Sequence, residues 1–277
     1  MKDDLTAEFS MEDVGGRKLR VARWRWDQPS DHPPILFFNG IGANIEAVAP
    51  LAEALTERRF IMFDMPGVGG SPEPTVPYNP FIMSWIAKEL LKRFDAGAVD
   101  VMGVSWGGAM AQHFTLQHGS HVRRLILAAT TAGMIMLPGN PAALSKMADP
   151  RRYIDAAFME KHFKTLYGGL TGGKDEHIGR LTPPTPRGYV YQLLCMMGWT
   201  SVPALPFLRK PVLIMMGEDD NIVPLANGRF LETLIPDSRL EIFEQGGHLF
   251  MLTHREQTLS SLRGFLDAPD QPKRKTA

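Results

Sequence analysis

The 277-residue chain has a single cysteine, Cys195, and no continuous apolar run of about 18 residues. One cysteine excludes an intrachain disulfide and a cysteine-rich metal site. The missing apolar run argues against a helical membrane span. There is no excess of either charge, with 30 Lys plus Arg against 30 Asp plus Glu, so no overall field draws the chain to nucleic acid or anionic lipid. A substrate of little or no charge is expected. Neither H-E-x-x-H nor a Cys/His cluster occurs, which argues against a metal enzyme, and no cofactor is expected. The amino terminus, Met1-Lys2-Asp3-Asp4-Leu5-Thr6-Ala7-Glu8, is acidic and lacks an apolar core. It does not read as a secretory signal, and a cytoplasmic location is expected.

What is present is a large apolar complement, 44% of residues against 22% charged, enough for one α/β domain carrying an insertion. Short apolar runs typical of buried parallel strands occur at Ile35–Phe38 and Phe60–Phe63, another apolar run at Val99–Val104, and further strands are expected at Arg124–Ala129, Val212–Met216 and Arg239–Phe243. Lys18–Trp26 alternates as an edge strand would. Helical spacing falls between the runs, at Ile45–Leu55, Pro80–Phe94, Leu225–Leu234 and Glu256–Leu266. The β/α alternation breaks over residues 131–205, where scattered helical stretches and clustered apolar residues suggest a cap inserted into a core made of 1–130 and 206–277. The Pro- and Lys-rich tail, 268–277, is expected to be mobile.

Gly103-Val104-Ser105-Trp106-Gly107 stands where a strand turns into a helix. Such an elbow needs residues without bulk on both sides of the serine and lifts the hydroxyl above the sheet. A serine hydroxyl is a poor nucleophile until a histidine takes its proton, and the imidazole needs a carboxylate to fix its tautomer and stabilise its charge. Of eight histidines, only His248 follows a strand directly after a glycine pair, Gly246-Gly247. The acid falls in Gly217-Glu218-Asp219-Asp220 beyond the preceding strand, where periodicity alone cannot separate Asp219 from Asp220. Asp100, which precedes the nucleophile, belongs at the wrong end of the sheet.

Backbone N–H groups fixed in advance suit a developing oxyanion. Trp106, directly after the serine, is one candidate donor. The other comes from Asn39-Gly40-Ile41-Gly42, with Ile41 preferred and Gly40 as the neighbouring alternative. Gly67-Val68-Gly69-Gly70 lacks both phosphate-loop and dinucleotide patterns, and reads as a structural turn shaping the entrance beside the site.

Together these residues resemble the α/β-hydrolase superfamily, and more fully the intracellular depolymerases of medium-chain-length polyhydroxyalkanoates. The resemblance is carried by Phe38-Asn39-Gly40-Ile41-Gly42-Ala43-Asn44, Phe63-Asp64-Met65-Pro66-Gly67-Val68-Gly69-Gly70-Ser71, Gly103 to Ala109, and Gly247-His248-Leu249-Phe250. It continues through Pro150-Arg151-Arg152-Tyr153, Tyr167-Gly168-Gly169 and Gly198-Trp199-Thr200-Ser201. Where the family usually has Asp-Pro, this chain has Asp220-Asn221, with Ile222-Val223-Pro224 keeping the register, so the resemblance favours Asp220 as the acid.

The resemblance implies a mostly parallel sheet flanked by helices with a largely helical cap. It also implies hydrolysis of aliphatic poly(3-hydroxyalkanoate) esters at cytoplasmic granules, through Ser105, Asp220 and His248 with Ile41 and Trp106 at the oxyanion. Asn39, Gly40, Met134, Met136, Met197 and Trp199 are candidate substrate contacts, because flexible apolar side chains accommodate variable alkyl groups. A small-ester carboxylesterase and a carbon–carbon bond hydrolase are alternatives, since one triad supports several acyl transfers. A non-catalytic ligand receptor or granule-surface binder is a third.

Overall fold

The computed structural model describes residues 6–149 and 151–269. Residues 1–5, residue 150 and residues 270–277, which hold most of the segment expected to be a mobile tail, lie outside it. Eight strands form one sheet: β1 (Glu8–Val14), β2 (Arg17–Trp24), β3 (Ile35–Phe38), β4 (Phe60–Phe63), β5 (Val99–Val104), β6 (Val122–Ala128), β7 (Val212–Gly217) and β8 (Ser238–Phe243). Their order is β1-β2-β4-β3-β5-β6-β7-β8. β3 to β8 pair in parallel, while β1 and β2 add antiparallel at one side.

β2 is therefore not the edge strand that its alternation suggests. β1 covers it through a hairpin whose two-residue turn, Gly15-Gly16, has φ of 61° and 78°. Positive φ at both central turn positions matches the twist of a tight hairpin and favours glycine. β1 itself takes the edge, and its side chains alternate between half-buried and exposed.

Eleven α-helices occur among the described residues: α1 (Ala49–Ala54), α2 (Pro80–Arg93), α3 (Trp106–Gln117), α4 (Pro141–Met147), α5 (Arg151–Ile154), α6 (Ala156–Tyr167), α7 (Lys174–Arg180), α8 (Pro186–Cys195), α9 (Leu225–Leu234), α10 (Phe250–Thr253) and α11 (Arg255–Leu266). The continuous apolar strands mean that both faces of the sheet are covered. Leu36, Phe38, Ile61 and Val101 pack on one face with Met83 and Ile86 of α2, Phe114 of α3 and Leu231 of α9. Ile35, Phe37, Phe60 and Met102 pack on the other with Ala52 of α1 and Leu262 and Phe265 of α11. Successive strand residues alternate between the two clusters, as the two-residue repeat of a pleated strand requires.

Five of the helices, α4 to α8, lie between β6 and β7. Local signals fix their starts: Asn140, Asp155 and Thr185 accept from backbone N–H groups of the first turns of α4, α6 and α8. The Gly67–Gly70 turn does not line the site. It docks this inserted segment instead, since Thr185 N–H donates to Gly67 O at 2.7 Å and a Cβ on Gly67 would stand 2.6 Å from the Gly188 Cα.

Candidate active site

Ser105 sits between β5 and α3 with φ 54° and ψ −122°. A non-glycine residue held there costs on the order of 1–3 kcal/mol, which the surrounding structure must offset. The Ser105 N–H donates to Ala128 O at 2.9 Å, and Thr130 donates to Ser105 O at 2.6 Å. The flanking glycines are steric necessities. A Cβ on Gly103 would lie 2.2 Å from Gly107 O, and one on Gly107 would lie 2.1 Å from Phe38 O.

His248 Nδ1 lies 2.7 Å from Asp220 Oδ2, and both residues are buried. The other Asp220 oxygen accepts from Ile222 N–H and Val223 N–H, each at 2.8 Å. The carboxylate is thus aimed at the ring, and Nδ1 carries the proton that meets it. Nε2 remains as the ring nitrogen available for proton transfer. Asp219, adjacent in sequence, is exposed. Asp100 instead anchors Arg123 at 2.6 Å and Arg58 at 3.5 Å, at the strand end remote from Ser105.

The inserted segment holds the acid and base loops together. His248 N–H donates to Tyr167 O at 2.6 Å, and the Tyr167 ring stacks on the imidazole, 6.3 Å between centroids at 11°. Gly168 forms an isolated bridge with Asp220. Three backbones meet so closely that a Cβ on Gly168 would lie 1.9 Å from Asp219 O, and one on Gly169 would lie 2.2 Å from Gly247 N. Gly168 and Gly169 thus have a steric reason to be glycine.

Ser105, His248, Asn39, Gly40 and Ile41 line one cavity of about 250 Å³. The Gly40 N–H is taken by Asn39 Oδ1 and the Gly42 N–H by Gln192 Oε1, each at 2.9 Å. Among the described residues no protein acceptor meets the N–H of Ile41 or of Trp106. The loop is braced from the insertion. Tyr153 donates its hydroxyl to Ile41 O at 2.9 Å, and Gln192 O accepts the Trp106 indole N–H at 3.1 Å.

The structure does not bring Met134, Met136, Met197 or Trp199 to this cavity. The three methionines are exposed, and Trp199 donates its indole N–H to His113 Nδ1 at 3.0 Å. Apolar walls come instead from Met147 and Met159, with Leu181 and Tyr167. Both methionines lie on inserted helices, where sequence position gives no clue to which helix face meets the core. His177, on α7, also enters the cavity wall. Burial lowers its pKa to about 4 and keeps it neutral, and its Nδ1 has no partner. Cys195 is buried, which pushes its thiol up to about 12 and leaves it unreactive.

The profile of the alpha/beta hydrolase family matches residues 35–260. A poly(3-hydroxyalkanoate) depolymerase of Ectopseudomonas oleovorans is 40% identical over 243 residues, 86% of this chain and 86% of the relative. A pimeloyl-[acyl-carrier protein] methyl ester esterase of Neisseria meningitidis is 29% identical over 260 residues, 90% of this chain and 98% of that one. Among solved structures, an esterase from Exiguobacterium antarcticum superposes with a TM-score of 0.80 at 21% identity, covering 95% of this chain and 100% of the other. With the eight-stranded, mostly parallel sheet and the serine elbow between β5 and α3, these matches establish that the chain belongs to the alpha/beta hydrolase family.

Proposed function

We propose that the chain is a serine carboxylic ester hydrolase that cleaves medium-chain-length poly(3-hydroxyalkanoate) and releases 3-hydroxyalkanoic acids or short oligomers. Ser105 attacks the ester carbonyl while His248 Nε2 accepts its proton, and Asp220 stabilises the imidazolium. The N–H groups of Ile41 and Trp106 receive the oxyanion. His248 protonates the departing alcohol, and water activated by the same imidazole releases the acid. Residues 131–205 act as a cap over this site, and Asn39 and Gly40 shape its floor. The same reading sets the protein in the cytoplasm at the surface of polymer granules, with Met134, Met136, Met197 and Trp199 turned to the polymer rather than to the scissile unit.

The observation that carries the chemistry is the buried Asp220–His248 pair beside Ser105 on one largely apolar-walled cavity. The substrate class rests on the 40% identity to a protein named for that activity. Wild type and Ser105→Ala should be compared on medium- and short-chain polyester granules, with products identified by mass and serine labelling by a phosphonate probe. Clearing of medium-chain granules by wild type alone is expected. Hydrolysis of short nitrophenyl esters with no attack on polymer would leave an ordinary esterase. A protein that binds ligand but is not labelled at Ser105 would be a receptor.

A further inference from the structure

Arg152, on α5, is 5% exposed and lines the cavity that holds Ser105 and His248. Among the described residues its guanidinium meets no carboxylate. One terminal nitrogen donates to the Met147 thioether at 2.9 Å, the other to the hydroxyls of Tyr153 and, at 3.0 Å, Tyr189. Its Nε is buried and donates to nothing. Two other arginines differ. Arg58 is paired with Asp100, and Arg180, in the same cavity wall, reaches Glu176 at 3.3 Å. The Tyr153 and Tyr189 rings stand 4.1 and 5.6 Å from the Arg152 guanidinium carbon. Such faces offset only part of the cost of a buried cation, which ordinarily calls for an anion.

A guanidinium fork set in a cavity wall with no carboxylate beside it suits a carboxylate, which it can hold through charge-assisted hydrogen bonding. Tyr153 links this fork to the oxyanion loop, since the phenol accepts from Arg152 and donates to Ile41 O. We propose that Arg152 binds the free carboxylate at the end of the substrate chain, so that ester cleavage proceeds from the carboxyl terminus.

The proposal rests on Ser105 being the nucleophile. With the terminal carboxylate on Arg152, Ser105 Oγ bonds to the carbonyl carbon of the last ester linkage and the ester C–O bond breaks. The departing alkoxide takes the proton from His248. The leaving group is the terminal 3-hydroxyacid, whose carboxylate is the one Arg152 holds, and water then frees the shortened chain from Ser105.

Binding to Ser105→Ala separates this inference from the catalytic one, because it needs no turnover. Calorimetry with 3-hydroxyoctanoate and its methyl ester should show the acid binding at least about tenfold more tightly, in keeping with a charge-assisted hydrogen-bonded pair. Adding Arg152→Gln should bring the two ligands together, and adding Arg152→Lys should keep part of the preference. In wild type, acid-ended dimers of 3-hydroxyoctanoate should likewise be cut faster than methyl-ester-ended ones. Equal binding of acid and ester to Ser105→Ala overturns the proposal. So does an acid preference that survives Arg152→Gln, or an equal loss for both ligands that leaves their ratio unchanged, as a purely structural arginine would give. Wild type that binds the acid selectively yet cleaves no ester would sink the hydrolase reading and leave the carboxylate site standing.

Discussion

Tyr153 donates its hydroxyl to the main-chain carbonyl of Ile41 at 2.9 Å, across 112 residues of sequence. A helix of the inserted segment thereby fixes the loop that presents the Ile41 N–H. Gly42, next in the chain, has φ 68°, and a Cβ there would lie 2.3 Å from the same hydroxyl. The proposed oxyanion donor and the insertion are therefore mechanically one unit.

Tyr153→Phe removes that brace without removing the donor. The turnover number on a neutral ester should fall about tenfold, less than the loss of an oxyanion donor itself, while KM changes little. Steady-state kinetics on a nitrophenyl ester check this. A change confined to KM would mean that the phenol serves ground-state binding instead.

Asp220→Asn keeps the shape of the acid but loses the charge and can impose the wrong histidine tautomer. Turnover should drop by a factor on the order of 10³ to 10⁴, and phosphonate labelling of Ser105 should slow in parallel. Asp219→Asn, altering an exposed side chain, should behave like wild type in both assays. A larger loss in Asp219→Asn would exchange the roles of the two carboxylates.

Asp100→Asn should damage stability and spare chemistry. The carboxylate is buried beneath Arg123 and Arg58, the latter 1% exposed. Removing that charge leaves the buried Arg58 with Asp267 as its other carboxylate partner and destabilises the fold by up to about 3–5 kcal/mol. Urea unfolding should show that loss, while turnover by the remaining folded enzyme stays close to wild type.

His113 gives the fold an acid sensitivity. Burial lowers its pKa from 6.5 to about 4, and its Nδ1 accepts the Trp199 indole N–H at 3.0 Å. The unfolded chain therefore binds more protons than the folded one between these values, so stability falls as pH drops from about 6.5 toward 4. Each pKa unit corresponds to about 1.4 kcal/mol. His113→Gln, whose amide oxygen can still accept from Trp199, should lose less melting temperature than wild type across that window. Equal slopes in thermal melts would assign the acid sensitivity to other groups.

Much of the framework is legible in sequence because a strand buried on both faces must be apolar throughout. Ile35–Phe38 and Phe60–Phe63 occur as strands over those spans, and Val99–Val104 ends where the serine begins. β1 escapes such reading because an edge strand with one wet face is only half apolar. Its Gly15-Gly16 hairpin signal was nonetheless present. The adjacent pair Asp219-Asp220 cannot be resolved by periodicity, since neither sits in a regular element. Only the folded loop turns one carboxylate inward and leaves the other in water.

The amino-acid sequence by itself determined the alternating core, the glycine-flanked serine elbow, and the order of serine, acid and histidine along the chain. These follow from local constraints: hydrophobic period, steric room at a tight turn, and the distance of each loop beyond its strand. Tertiary structure decided the cavity walls. Exposed Met134, Met136 and Met197 stand away from the site, while Met147, Met159, Tyr153, His177 and Arg152 line it. The inserted helices are short and linked by irregular turns, so their buried faces are set by packing against distant loops, and no local pattern records that contact.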